Sequence, residues 1–174
     1  MAHPQQRFFL EKVKKEHPHF FLNTAVLEIG SLNINGTVRD FFDDPFEYVG
    51  VDLAEGPGVD VVCKGHEVPY YNETFNVTIS CECFEHDKHW KETFQKMYDV
   101  TVKGGLVIFS CATTGRPEHG TQFSGPWDSP FTNDYYLNLT AEDFLEAFPI
   151  NEMFRNWEFT TNNESHDLYF WGLK

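Results

Sequence analysis

Ala25-Val26-Leu27-Glu28-Ile29-Gly30-Ser31-Leu32-Asn33-Ile34-Asn35-Gly36 is the stretch that decides the fold. Its first five residues are mostly apolar and read as a strand buried on both faces. The glycine that ends it opens a polar loop, and a short helix is expected from about Thr37 to Phe42. A second strand, Glu47-Tyr48-Val49-Gly50-Val51-Asp52, ends in a carboxylate 22 positions after Gly30. Glycine where a strand becomes a loop lets main-chain groups reach a ligand closely, while a carboxylate at the tip of the next strand can grip two ribose hydroxyls. The pair points to a nucleoside. A dinucleotide is disfavoured, because Leu32 stands where a pyrophosphate loop would place its second glycine.

Working outward, Glu55-Gly56-Pro57-Gly58 leaves no room for a full helix after Asp52, and Val59 to Cys63 reads as a third strand. Phe75 to Ser80 is the fourth. Towards the N-terminus, Phe8, Phe9, Val13, Phe20 and Phe21 give residues 5–21 a helical period. A helix from about Lys88 to Val102 would carry Trp90, Phe94, Met97 and Val100 on one side. Lys103-Gly104-Gly105 is expected to stop it before a fifth strand, Leu106 to Cys111. Thr140-Ala141-Glu142-Asp143 looks like an N-cap with an acidic first turn, opening a helix to Phe148. Strands near Trp157 to Thr161 and Leu168 to Trp171 close the chain. Apolar strands alternating with helical patterns, without repeats or linkers, predict a single α/β domain over residues 1–174.

Composition narrows the function. Thirteen Lys and Arg against 27 Asp and Glu leave a formal net charge of −14, which repels phosphate backbones and anionic lipid and argues against nucleic-acid and membrane partners. With 41% hydrophobic residues and 18 Phe the chain can build a substantial core. No leader pattern is visible and no apolar run nears the ~20 residues of a membrane helix, so a soluble, cytoplasmic protein is expected. Cys63, Cys81, Cys83 and Cys111 are then expected as reduced, buried thiols, and the five Asn-x-Ser/Thr triplets as chance.

Four blocks in order extend the first signal. They are Val26-Leu27-Glu28-Ile29-Gly30, then Val49-Gly50-Val51-Asp52-Leu53, then Phe75 through His86, and Val102-Lys103-Gly104-Gly105-Leu106-Val107-Ile108. With this spacing, residues 25–148 resemble the class I S-adenosylmethionine-dependent methyltransferases, in particular their ubiquinone-biosynthesis-like small-molecule branch. The resemblance implies a Rossmann-like seven-stranded, mostly parallel sheet in the order 3-2-1-4-5-7-6 with the last strand antiparallel. Helices should be reduced on one face, and the thinly covered surface near Gly56 to Tyr71 could then seat a second copy in a homodimer.

The resemblance also implies S-adenosylmethionine as cofactor. Glu28 and Gly30 belong to the first block, and Gly30 with Ser31 and Asn35 would hold the methionine portion. Asp52 would bind the ribose hydroxyls, Leu53 would pack on adenine, and Gly65 and His66 would flank the adenine edge. Cys81 and Glu82 would lie beneath the methionine backbone and sulfonium, with Glu85 and His86 bordering the transfer face. Two departures stand out. Leu32 occupies a frequent glycine position, and Lys64 stands where the family often has an acid that accepts the adenine amino proton, which lysine cannot do.

A sulfonium is already an activated methyl donor, so alignment of the acceptor matters most and a base is optional. His86 and His119 are the candidate bases. Arg116, Glu118, His119 and Tyr135, with Trp127 and Tyr136 as further stacking surfaces, are expected to shape the pocket of a small-molecule or sugar-like acceptor in the long segment after the fifth strand. Cys81, Cys83, Glu85, His86 and His89 also invite a zinc reading. The alternating cysteines lack the loop spacing of structural zinc sites, and no metal is expected. The leading function is methyl transfer from S-adenosylmethionine; the alternatives are a module that binds this cofactor or its demethylated product without turnover, and a nicotinamide oxidoreductase.

Overall fold

Seven strands share one sheet in the computed structural model, which describes residues 3–132 and 134–174. They are β1 (Ala25–Ile29), β2 (Glu47–Asp52), β3 (Val61–Val62), β4 (Phe75–Cys81), β5 (Thr101–Ala112), β6 (Asn156–Asn162) and β7 (Asp167–Leu173), in the order β3-β2-β1-β4-β5-β7-β6. β7 runs antiparallel to β5 and β6, and the remaining pairs are parallel. Order and direction are those expected from the sequence.

Side chains alternate across the strands and build two cores. Leu27 and Ile29 of β1, Val107 and Phe109 of β5, and Leu168 and Phe170 of β7 face one layer, covered by the α-helices α2 (Trp90–Val100), α3 (Ala141–Ala147) and α4 (Ile150–Met153). Val26, Ile108, Tyr169 and Trp171 face the other layer. There the cover is α1 (Pro4–Glu16) with its Phe9, Leu10 and Val13, plus short 3-10 turns at Pro18–Phe20 and Arg39–Phe41. This is the face with reduced helices. Val62 and Tyr71, in the region expected to be thinly covered, are 50% and 91% exposed.

Several boundaries differ from expectation, each for a local reason. The first helix ends at Glu16, because Pro18 disfavours helical geometry in the residue before it, and the chain continues as the Pro18–Phe20 turn. The helix expected over 37–42 is only the Arg39–Phe41 turn. Helix α2 starts at Trp90 rather than Lys88, with Asp87 accepting the His89 amide at 2.7 Å and the Thr93 hydroxyl. It stops at Val100, where Thr101 Oγ1 donates to the Met97 carbonyl at 2.7 Å and Lys174 Nζ to that of Tyr98 at 2.7 Å. Lys103-Gly104-Gly105 therefore ends no helix. It forms an irregularity inside β5, where Phe75 pairs with Thr101 but Val77 pairs with Leu106, and Gly104 takes φ +77°. No helix among the described residues is long and apolar enough to cross a membrane.

Candidate functional site

Parallel strands leave a crevice beyond their carboxyl ends. Here the tips of β1, β2 and β4 open onto a cleft of about 1210 Å³, walled by Gly30, Leu32, Asp52, Cys81, Glu82 and His86 among others. Gly30 has φ +81°, and a Cβ on it would fall 2.7 Å from that of Cys83. Only glycine can turn here while β1 and β4 stay this close. The turn presents the amide of Leu32 to Asp52, whose Oδ2 accepts it at 2.8 Å while Oδ1 accepts the Leu53 amide at 2.7 Å. Burial pushes the Asp52 carboxyl above its ordinary value, and these two amide bonds act against that rise. Asp52 is thus fixed in orientation at the cleft wall.

Leu53, Gly65 and Asn35 share that wall. Leu32, the first departure from the family pattern, packs its side chain against Gly56, where an added Cβ would meet Leu32 Cδ1 at 2.3 Å. The turn after β2 is hollowed to receive it. At the second departure the structure places a carboxylate nearby. Lys64 Nζ turns to Glu67 Oε1 at 2.9 Å, and Glu67 itself borders the cleft. A carboxylate thus stands three positions beyond the place where sequence reasoning looked for one. The 3-10 turn Gly65–Glu67 brings it there, a rotation that the sequence did not signal.

Four expected cofactor residues do not line the cleft. Ser31 is 3% exposed, with its hydroxyl buried and unpartnered. His66 packs against His89, ring centroids 4.5 Å apart. Glu85 lies fully buried behind His86. Glu28, in the middle of β1, accepts a hydrogen bond from the Tyr48 hydroxyl at 2.8 Å. Burial raises the Glu28 carboxyl from 4.5 to about 7, against the Tyr48 bond and the nearby Arg39 charge. A carboxyl held protonated by the fold favours the folded state at low pH, and that contribution is lost as pH rises from about 4.5 through 7. Glu28→Gln keeps the acceptor for Tyr48 without the charge. Urea melts should show the variant more stable than the parent by about 1–3 kcal/mol at pH 8 and equal to it near pH 4; parallel pH profiles would contradict this.

The other half of the cleft is formed by the 3-10 turn Phe84–His86 after β4 and by the segment after β5. This segment is pinned by the Leu137 amide donating to the Glu85 carbonyl at 2.8 Å and by the Leu139 amide donating to that of Ala112 at 3.0 Å. His86, His119 and Tyr136 pack ring against ring with centroids 5.0–5.4 Å apart. Burial, then the neighbouring His119, lowers His86 from 6.5 to about 4, leaving it a neutral imidazole and a weak general base. His119 is lowered chiefly by burial, and its Nδ1 lies 3.1 Å from the Pro117 carbonyl. Tyr135 and Glu118 border the cleft, Glu118 accepting from the Thr121 hydroxyl at 2.6 Å. Trp127 does not border it and is 73% exposed.

Arg116 is held from below. Its Nη1 donates to the Ser165 carbonyl at 2.6 Å and to Asp167 Oδ1 at 3.1 Å. Asp167 is fully buried and lies 2.9 Å from His3 Nε2, while Tyr169 donates its hydroxyl to Oδ2 at 2.9 Å. Burial alone would raise its pKa, but His3 and the other donors bring it below the ordinary range. Glu82, at φ +55°, accepts from Ser110 Oγ at 2.8 Å, and Gln6 of α1 donates to the same hydroxyl at 2.8 Å. Helix α1 is thereby tied to the cleft floor. Sequence reasoning missed Asp167 and Gln6, because both act through contacts with residues distant in the chain. All four cysteines are unpaired as expected, but only Cys111 is fully buried, Cys63, Cys81 and Cys83 being partly exposed.

No protein-family model and no curated protein matches the sequence. Solved structures do match its fold. The chain is similar to the 1,6-didemethyltoxoflavin-N1-methyltransferase of Burkholderia thailandensis, solved with 1,6-didemethyltoxoflavin and S-adenosylhomocysteine, with a TM-score of 0.65, 14% identity and coverage of 95% of this chain and 78% of that one. It is similar also to phosphoethanolamine N-methyltransferase 2 of Haemonchus contortus in complex with S-adenosylmethionine, with a TM-score of 0.68 and 16% identity, over 97% of this chain and 52% of that one. A S-adenosylmethionine-dependent methyltransferase of Thermotoga maritima aligns over 97% of this chain and 99% of its own, with a TM-score of 0.59 and 12% identity. With the strand order 3-2-1-4-5-7-6 and the antiparallel β7, the chain has the fold of the class I S-adenosylmethionine-dependent methyltransferases.

Proposed function

We propose that this protein transfers the methyl group of S-adenosylmethionine to a small-molecule acceptor held beneath the segment after β5. The observation that carries the reading is the placement of Asp52. Its carboxylate, oriented by the Leu32 and Leu53 amides, faces the cleft across from the Gly30 turn in a fold shared with methyltransferases solved with this cofactor or its product. A carboxylate has about four acceptor sites, so two amide bonds leave capacity for two ribose hydroxyls. Leu53 would pack on adenine, with Gly65 offering main chain and Glu67 a carboxylate to the adenine amino group. Gly30, Asn35, Cys81 and Glu82 would surround the methionine portion.

Transfer then needs mainly alignment. A lone pair on the acceptor forms the new bond to the methyl carbon, the carbon–sulfur bond breaks, and its electron pair leaves the sulfur as a neutral thioether. Arg116, Glu118, His119 and Tyr135 would shape the acceptor side.

The test is incubation with methyl-labelled S-adenosylmethionine and a panel of amines, hydroxylated aromatics and sugars. Labelled acceptor together with S-adenosylhomocysteine, above a protein-free control, is the expected result. Calorimetric binding of the cofactor with no turnover on any acceptor would make the chain a binding module instead, and tight NADH binding with none for the sulfonium would make it an oxidoreductase.

A further inference from the structure

Behind the acceptor end of the cleft, three side chains bring their ligating atoms together. Glu85 and His86 come from the turn after β4, and His119 from the segment after β5. One carboxylate oxygen of Glu85 and one ring nitrogen of each histidine lie within 4.8 Å of one another. Glu85 is 0% exposed and no side chain donates to its carboxyl, which meets only the backbone amides of Glu85 and Ala112, while Nδ1 of His86 is buried and unpartnered. A buried carboxyl held only by backbone amides beside an unpartnered buried imidazole nitrogen is costly, since buried polar groups are otherwise almost always well satisfied.

We propose that Glu85, His86 and His119 form a binding site for a divalent transition metal of the zinc class. Two imidazole nitrogens and one carboxylate oxygen are a donor set such ions accept, and three protein ligands leave coordination positions open towards the cleft, where His86 and His119 form part of the wall. Ligand atoms around a zinc-sized ion sit ~3.3 Å apart, given bonds of ~2.0–2.1 Å. The three side chains therefore need to draw in by about 1.5 Å from the present outer limit, a movement within the reach of rotamer adjustment. The outer contacts suit ligation. His119 Nδ1 faces the Pro117 carbonyl at 3.1 Å, leaving Nε2 for a metal, and the backbone of Tyr135 bonds the ring of His86, leaving its Nδ1. Both histidines are held neutral by burial, the form that ligates. Burial first, and then the nearby Glu82, hold the Glu85 carboxyl well above its ordinary value, so an ion binding there would displace its proton.

The second group of candidate ligands, His3, Glu82 and Asp167, is different in kind. Asp167 already takes His3, Arg116 and Tyr169, so the centre of that group is held by charged and polar partners without an ion. The zinc reading weighed from the sequence included Glu85 and His86 but paired them with Cys81, Cys83 and His89. Cys81 and Cys83 are not in the cluster, and His89 packs on His66. His119, which lies 33 positions after His86, completes the set in their place.

The site does not depend on methyl transfer and is tested without cofactor. Chelator-treated protein is titrated with Zn²⁺ by calorimetry and with Co²⁺ by visible absorption. The expected result is one ion per chain, a cobalt spectrum without thiolate-to-metal charge transfer, and affinity lowered about 100-fold or more in His119→Ala and in Glu85→Gln. His119 lies on a partly exposed segment, so its variant should retain the parent's circular dichroism even if the buried Glu85 variant does not. No stoichiometric binding, a thiolate band, or unchanged affinity in folded His119→Ala would each overturn the proposal.

Discussion

Asp52→Ala is expected to weaken S-adenosylhomocysteine binding by roughly 100- to 10,000-fold. Two ribose hydroxyls donating to an ionised carboxylate contribute ~1.5–3 kcal/mol each, and their loss together amounts to ~3–6 kcal/mol. Asp52→Asn should fall between the variant and the parent, because the amide keeps one acceptor oxygen but loses the charge. The carboxylate also joins the Gly30 loop to the end of β2 through the Leu32 amide, so both variants need circular dichroism and a thermal melt beside the calorimetry. A folded Asp52→Ala that binds with the parent's affinity would remove Asp52 from the ribose site.

The second large effect concerns the layer under α2. Phe94 is 0% exposed, and its ring centroid lies 4.9 Å from Phe148, 5.4 Å from Phe144 and 5.8 Å from Phe109. Further contacts with Phe84, Phe154 and Phe170 make it the hub of an aromatic cluster that joins α2, α3 and β5 to β7. Its removal costs the transfer energy of the ring and leaves a cavity that rigid neighbours cannot fill. Phe94→Ala should therefore lose ~3–5 kcal/mol in urea unfolding with an unchanged slope. The melting temperature should fall by roughly 6–20 °C for a chain of this size. A loss below ~1 kcal/mol would mean the cluster repacks and that this side of the sheet is not held as described.

The sheet was legible because its information is local. Ala25 to Ile29 and Glu47 to Asp52 carry the apolar runs of buried parallel strands, and the turn at Gly30 and the carboxylate at Asp52 end them where a ligand crevice must lie. The start of β5 was not legible. Lys103-Gly104-Gly105 has the chemistry of a helix stop, but the helix had already been capped by Thr101 and Lys174, and the glycines serve an irregular pairing with β4 instead. The two departures from the family pattern misled for a similar reason. Leu32 packs against Gly56, and a carboxylate, Glu67, borders the cleft three positions after Lys64; each lies in a turn that the strand pattern does not describe. The convergence of Glu85 and His86 on His119 is a tertiary fact, with no spacing that announces it.

The most direct measurement of the central claim is the electron density of S-adenosylhomocysteine in co-crystals of this chain. The proposed reading expects the nucleoside in the cleft, with both ribose hydroxyls within hydrogen-bond distance of Asp52, adenine against Leu53, and the sulfur directed towards His86 and His119. An empty cleft at saturating ligand, or a nucleoside bound away from Asp52, would contradict it.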